Sequence, residues 1–255
     1  MPAPISLQLY SLREQAAQDY AGTIRQVAEM GYIGVEPAGY PGTTVEAAAR
    51  LYQELGLKVP SAHLGLPVGD DKQSSIDQAG ILGVDYIVAG KGPKDFETLD
   101  LVKATCAQFN QAAVNAREAG FRFGIHNHWW EFSPLAETGQ PVYKHMLEYL
   151  SDEVTFQVDT YWVQTGGCDP AAVVTELGNR CPLLHIKDGP CDREKAMQPC
   201  GEGKVDFPAI VAAAGNTTEW MIVELDRCDT DMMEAVEKSY RYLVGNGLAS
   251  GNQPV

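Results

Sequence analysis

Apolar residues along this chain follow two spacings that alternate from one end to the other. Short runs rich in β-branched and aromatic residues predict strands at 5–10 (ISLQLY), 33–38 (IGVEPA), 59–64 (VPSAHL), 85–90 (DYIVAG), 121–128 (FRFGIHNH), 154–160 (VTFQVDT), 182–188 (PLLHIKD) and 220–226 (WMIVELD). The segments between them carry a helical period. Ile24, Val27 and Met30 fall on one face of a helix that Gly31 closes as a C-cap. The stretch TTVEAAARLYQELGL repeats the scheme, with Thr44 as N-cap and Gly56 after the last turn. The longest helix is predicted within 96–120 and ends at Gly120.

Eight strands alternating with about eight helices describe an α/β chain with a parallel sheet and crossover connections. With no break in composition, the pattern fits a single (β/α)8 TIM barrel over residues 1–247, followed by a flexible Gly/Asn/Ser/Pro-rich tail, 248–255. A doubly wound dinucleotide fold would need a glycine-rich turn after the first strand; the residues there are SLREQ.

Composition narrows the partners. Hydrophobic residues make up 45% of the 255, and no run approaches the roughly 20 apolar residues of a membrane span. Lys and Arg number 19 against 34 Asp and Glu, a formal charge of −15. That balance repels nucleic-acid phosphates and offers no polybasic patch to an anionic membrane. The N-terminus lacks a basic region followed by an apolar run, and the six cysteines form no CxxC pair, although Cys191 and Cys200 could face each other across a loop. A cytoplasmic protein with free thiols is expected.

In a barrel of this kind, chemistry gathers at the C-terminal ends of the strands. Four of the five histidines fall there: His63, His126, His128 and His185. Asp159, His185 and Glu224 end the sixth, seventh and eighth strands, neighbours around the ring, among apolar residues such as Val158, Leu184, Ile186 and Val223. Ionisable groups in such a setting need a partner, because burying one alone costs several kcal/mol. One divalent metal ion partners all three, and a mixed N/O donor set suits Mn²⁺, Mg²⁺, Co²⁺ or Zn²⁺.

Taken in order, LQLYSLRE, GYIGVEPAG, HNHWWEF, QVDTYWV, LHIKDG, GEGKVDFPAI and VELDR resemble the xylose isomerase-like TIM barrels, in their sugar phosphate isomerase/epimerase group. The resemblance runs over essentially the whole chain. It implies a metal held by Glu, Asp, His and Glu from strands five to eight, and Asp159, His185 and Glu224 match the last three. The first falls at His126, a departure, because that glutamate often doubles as a base. His126 is the first choice for the vacant ligand role. Glu131 is the alternative, as ligand or with His126 left as the base. Dimers are common in the family, so a homo-oligomer is implied as well.

Around this centre, His128, Trp129 and Trp162 are candidates to bind substrate, the tryptophans by stacking on a sugar's C–H face. Glu36 and His63 could contact substrate hydroxyls or move protons; the alternatives are a structural pair of Glu36 with a nearby lysine and a satisfied core histidine at His63. Lys187, on the same face of its strand as His185, could steady a developing enolate oxygen or hold Asp188. GEGKVDF reads as a turn with Asp206 capping the next helix in preference to a phosphate cradle. The expected function is a metal-dependent isomerase or epimerase of a sugar or keto-sugar, working through an enediolate with Glu36, His63, Lys187 and Glu224 as catalytic groups. A dehydratase or lyase on a keto-sugar, keto-inositol or 3-keto-glycoside is the alternative, and a non-catalytic sugar-binding barrel the third reading.

Overall fold

The computed structural model of the protein describes residues 2–253; Met1, Pro254 and Val255 lie outside the described residues. All eight predicted strands are present, shorter than the apolar runs that announce them: β1 Ile5–Gln8, β2 Gly34–Glu36, β3 Ser61–His63, β4 Tyr86–Ala89, β5 Arg122–His126, β6 Val154–Asp159, β7 Leu183–Ile186 and β8 Trp220–Val223. Every pairing is parallel, in the order β2-β1-β8-β7-β6-β5-β4-β3. The ring is nearly closed by the segment leading into β3: Val35 N–H donates to Lys58 O at 2.9 Å, and Lys58 N–H to Ile33 O at 3.0 Å. After β1, the Gln8 side chain accepts from Tyr10 N–H at 3.1 Å and starts a 3₁₀ turn over Leu9–Leu12.

Ten α-helices occur among the described residues: α1 Arg13–Gln18, α2 Tyr20–Met30, α3 Val45–Glu54, α4 Lys72–Leu82, α5 Leu99–Glu118, α6 Val142–Tyr149, α7 Thr160–Thr165, α8 Pro170–Leu177, α9 Phe207–Ala214 and α10 Met232–Gly245. Eight were expected; the first and sixth connections each hold an extra short helix. Asp19 divides α1 from α2 by capping the latter, accepting from Gly22 N–H at 2.9 Å. Thr98 caps α5 at Leu101 N–H, 3.2 Å, a bond worth about 1 kcal/mol. On α5, Val102, Cys106, Phe109, Ala113 and Ala116 form a buried stripe against the sheet. No helix of the described residues is long and apolar enough to cross a membrane.

Inside the barrel the side chains form layers, as the two-residue period of the strands requires. At the N-terminal end Arg122 spans Glu219 with two bonds, 2.7 and 2.8 Å, and lies over Tyr86. Val88, Leu183 and Ile222 make an apolar middle layer. Two residues beyond Leu183 and Ile222 stand His185 and Glu224; there the interior turns polar, and the site begins. Residues 248–253 of the expected flexible tail are tied to the barrel: Ser250 bonds to Ala3 and Ile5, Asn252 to Gly31, and Gln253 to the Tyr240 hydroxyl. All six cysteines are free, Cys191 and Cys200 included.

Candidate active site

A cavity of about 640 Å³ opens at the C-terminal ends of the strands. Gln8, His63, His126, Lys187, Glu224 and Asp226 reach it from the strand ends, with Tyr10, Pro37, Ala38, His128 and Trp162 along the sides.

Its floor is organised by one carboxylate. Glu36 is fully buried and accepts from Gln8 Nε2 at 2.5 Å, Gln157 Nε2 at 2.6 Å, His185 Nε2 at 2.9 Å and the Ser61 hydroxyl, with His63 Nε2 at 3.1 Å. Burial alone would raise its pKa; His63 and His185 outweigh burial and hold it well below the carboxylate range. Glu36 is thus taken up by four hydrogen bonds, with the His63 ring as a fifth, ion-pair neighbour. Neither the substrate contact nor the lysine partner suggested by sequence is what occupies it.

Gln157 converts this anchor into a tautomer choice. Its amide nitrogen faces Glu36, an obligate acceptor, so its oxygen must face the histidines: His63 Nε2 at 2.7 Å and His126 Nδ1 at 2.9 Å. His126 Nδ1 therefore donates, and its Nε2 keeps the lone pair. Burial, reinforced by His185 and His63, keeps the His126 pKa well below its usual value, so the ring is neutral near pH 7. Sequence reasoning passed over Gln157, although it lies two residues before Asp159, on the same face of β6; a lone amide in VTFQVDT was the available signal.

Above the floor the charges interlock. His185 Nδ1 donates to Glu224 Oε2 at 2.9 Å while Nε2 donates to Glu36. Burial disfavours its charged form, but the two carboxylates prevail and push its pKa up to about 10. The Lys187 ammonium, 2% exposed, stands 2.7 Å from Glu224 Oε2, 2.9 Å from Asp226 Oδ1 and 3.1 Å from Asp159 Oδ2. Lys187 holds these three carboxylates and not Asp188. Burial raises the Asp159 pKa to about 6, with Lys187 and His185 only partly offsetting it.

His126, Asp159, His185 and Glu224 each bring a donor atom within 4.8 Å of the others. Asp159 Oδ2 is buried with no hydrogen bond, the Lys187 contact being misaligned, and the His126 Nε2 lone pair is uncommitted. Two nitrogens and two carboxylates fit a divalent cation of the Mn/Mg/Co/Zn class, provided His185 gives up a proton. Glu131 does not join this group. It sits in the 3₁₀ turn Trp130–Phe132, 1% exposed, accepting from His128 N–H at 2.9 Å, and burial raises its pKa to about 8.

The remaining candidates divide. His63, with 34% of its side chain exposed, and Trp162 face the cavity. His128 also lines it and stacks on Trp130, ring centres 4.1 Å apart. Trp129 does not line it; Arg193 lies 4.1 Å over its ring. The GEGKVDF loop contains no open cradle: Gly201, Gly203 and Val205 donate their N–H groups to the buried Asp188 carboxylate, and Asp206 caps α9 through Ala209 N–H.

Known proteins repeat this architecture. A sugar phosphate isomerase/epimerase from Parabacteroides distasonis superposes with a TM-score of 0.83 at 26% identity, covering 98% of this chain and 96% of that one. An L-ribulose 3-epimerase shares the fold with a TM-score of 0.72 at 19% identity over 96% of this chain and 94% of its own. The IOLI protein, solved with a binding zinc atom, does so with 0.71 at 14% over 96% and 97%. No curated protein sequence matches the chain. The model of one family does match, over residues 24–244, and with eight parallel strands in a nearly closed ring and the ionisable groups at their C-terminal ends, the chain belongs to the xylose isomerase-like TIM barrels.

Proposed function

We propose that this cavity is the active site of a divalent-metal-dependent isomerase or epimerase acting on a small carbohydrate, a sugar or keto-sugar, through its enediolate. The observation that carries the reading is the convergence of His126, Asp159, His185 and Glu224 within 4.8 Å, with Asp159 Oδ2 left without a hydrogen bond. These four would hold the cation. When bound, it supplies Lewis acidity toward the substrate's carbonyl oxygen.

The chain's own residues supply the rest. Lys187 presents a permanent positive charge toward an oxygen that gains negative charge as the neighbouring C–H is deprotonated. Glu224, kept ionised because Lys187 and His185 outweigh its burial, is a base in the cavity wall. His63 is a proton carrier in the same cavity: burial disfavours its charged form, but Glu36 outweighs burial and raises its pKa. Glu36 acts as a positioning group, fixing His63 and His185 from below, and Trp162 offers an apolar face for a sugar's C–H bonds.

The L-ribulose 3-epimerase and the sugar phosphate isomerase/epimerase among its structural neighbours favour this reaction class. One feature keeps a dehydratase or lyase as the second reading. Loss of a β-substituent needs an acid facing the leaving group, and a protonated His63 at the cavity wall is such an acid. The test is elemental analysis of protein purified without added metal, beside Asp159→Ala and His185→Ala. Near one equivalent of Mn, Mg, Co or Zn, lost in both variants together with activity on keto-sugars, is the expected result. A parent that stays empty after reconstitution sinks the proposal.

A further inference from the structure

We propose that the substrate of this site carries no phosphate and is an uncharged polyhydroxy carbonyl compound, a free sugar or a glycoside; the inference rests on the reaction class proposed above. Barrels that bind phosphorylated substrates commonly hold the phosphate on backbone N–H groups after strands seven and eight, where a helix N-terminus adds its partial positive charge. In this chain the loop after strand seven is filled by its own Asp188 carboxylate, and the helix starts around the mouth already carry aspartate caps.

After β7, Asp188 accepts from four backbone N–H groups: Gly189 at 2.8 Å, Gly201 at 2.9 Å, Gly203 at 3.0 Å and Val205 at 3.1 Å. Asp188 is 1% exposed, so its carboxylate fills the loop as a bound anion would. At α9 the first turn is taken by Asp206 through Ala209 N–H, 3.0 Å. After β8, Asp231 takes Glu234 N–H at the start of α10, 2.9 Å. After β6, Asp159 takes Trp162 N–H, 2.9 Å.

The side chains give the same answer. Lys187 is the one Lys or Arg lining the cavity among the described residues, and it is shared by Asp159, Glu224 and Asp226. Arg13, at the edge, spends its guanidinium on the carbonyls of Tyr10 and Asp226, at 2.8 and 2.9 Å. Arg193 is turned onto Trp129, and Lys91 does not line the cavity. An entering phosphate would meet Glu224 and Asp226 without a free guanidinium, ammonium or backbone cradle. A neutral polyol finds what it needs there: carboxylate and amide acceptors for its hydroxyls, and Tyr10, Pro37, Ala38 and Trp162 for its C–H faces.

The experiment uses the intact protein, with and without Mg²⁺, at low ionic strength. Inorganic phosphate is titrated by calorimetry. Matched pairs of keto-sugars and their phosphate esters are then compared for binding, by tryptophan fluorescence, and for turnover. We expect no saturation by phosphate below roughly 10 mM, and at least a tenfold preference for the unphosphorylated member of each pair that binds. Sub-millimolar phosphate binding displaced by a neutral sugar overturns the inference, as does tighter binding or faster turnover of a phosphate ester. Phosphate exclusion with no turnover of any sugar leaves the charge argument standing and fails the enzymatic reading instead.

Discussion

The Lys187 ammonium lies 2.7 Å from Glu224 Oε2 and 3.1 Å from Asp159 Oδ2, so a side-chain cation is wedged between two of the four groups proposed to hold a metal. It neutralises carboxylates that would otherwise repel each other in a water-poor site, and it can withdraw onto Asp226, its third partner at 2.9 Å. Lys187→Met keeps the volume and removes the charge. Breaking one side of a buried ion pair costs about 3–5 kcal/mol, and a divalent cation at about 100 times its Kd returns about 2.7 kcal/mol. Urea denaturation with and without Mn²⁺ should show a large loss in metal-free buffer and a larger metal-dependent gain than in the parent. Equal stability of variant and parent without metal would show that Lys187 is not the counter-charge.

Gln157 makes a second prediction. Its carbonyl fixes His126 with Nδ1 donating and Nε2 free, and its amide braces Glu36. Removing the groups that orient a metal-binding imidazole commonly costs 10–100-fold in metal affinity. Gln157→Leu should therefore weaken Zn²⁺ or Mn²⁺ binding by roughly that factor in competition with a chelating dye, while the far-UV spectrum keeps its αβ shape. An unchanged affinity would place the metal elsewhere or give His126 no part in holding it.

The fold was legible because period-two and helical patterns alternate without interruption. All eight strands were predicted, and the two extra helices, α1 and α7, escaped because each has only six residues and lacks a full amphipathic repeat. Asp159, His185 and Glu224 stood out in sequence because charge inside an apolar run is anomalous. What stayed hidden was pairing across the barrel. Nothing local reveals that Glu36 is saturated by Gln8, Ser61, Gln157, His63 and His185, since these five lie 25 to 149 residues away. Nor does LHIKDG reveal that the aspartate after Lys187 turns out of the site to fill a loop formed by residues 201–205.

That loop is sensitive to a single methyl group. A Cβ on Gly203 would meet Asp188 Oδ1 at 2.1 Å and Gly189 N at 2.2 Å, inside the cage of N–H donors. Neither neighbour is the free end of a flexible chain, because Asp188 is locked by four bonds. Gly203→Ala should lose about 1–3 kcal/mol of stability, the usual range for overpacking. Gly215→Ala is a weaker control for steric crowding, since nothing lies within 4 Å of a Cβ there, although its φ of +56° adds backbone strain. Urea midpoints of the two variants decide the matter; Gly203→Ala matching the parent would mean the cage can open at little cost.

Glu131 sets a pH dependence whose sign can be worked out. Burial raises its folded pKa to about 8 from the ordinary carboxylate value of 4.5, with the His128 N–H bond only partly compensating. Between these limits the unfolded chain has released the proton while the folded protein still holds it. Folding is therefore favoured by the protonated acid. This contribution is fully present below about pH 4.5, falls by about 1.4 kcal/mol per pH unit as pH rises through the window, and is gone above about pH 8. Glu131→Gln keeps the shape and the acceptor for His128 N–H, with a donor where the acid carried its proton. The variant should match the parent near pH 4.5 and exceed it progressively toward pH 8, by several kcal/mol at most. Urea unfolding of both proteins across that range measures the difference directly. Parallel stability curves would mean that Glu131 is ionised in the fold, its unpartnered oxygen compensated by a group not yet assigned.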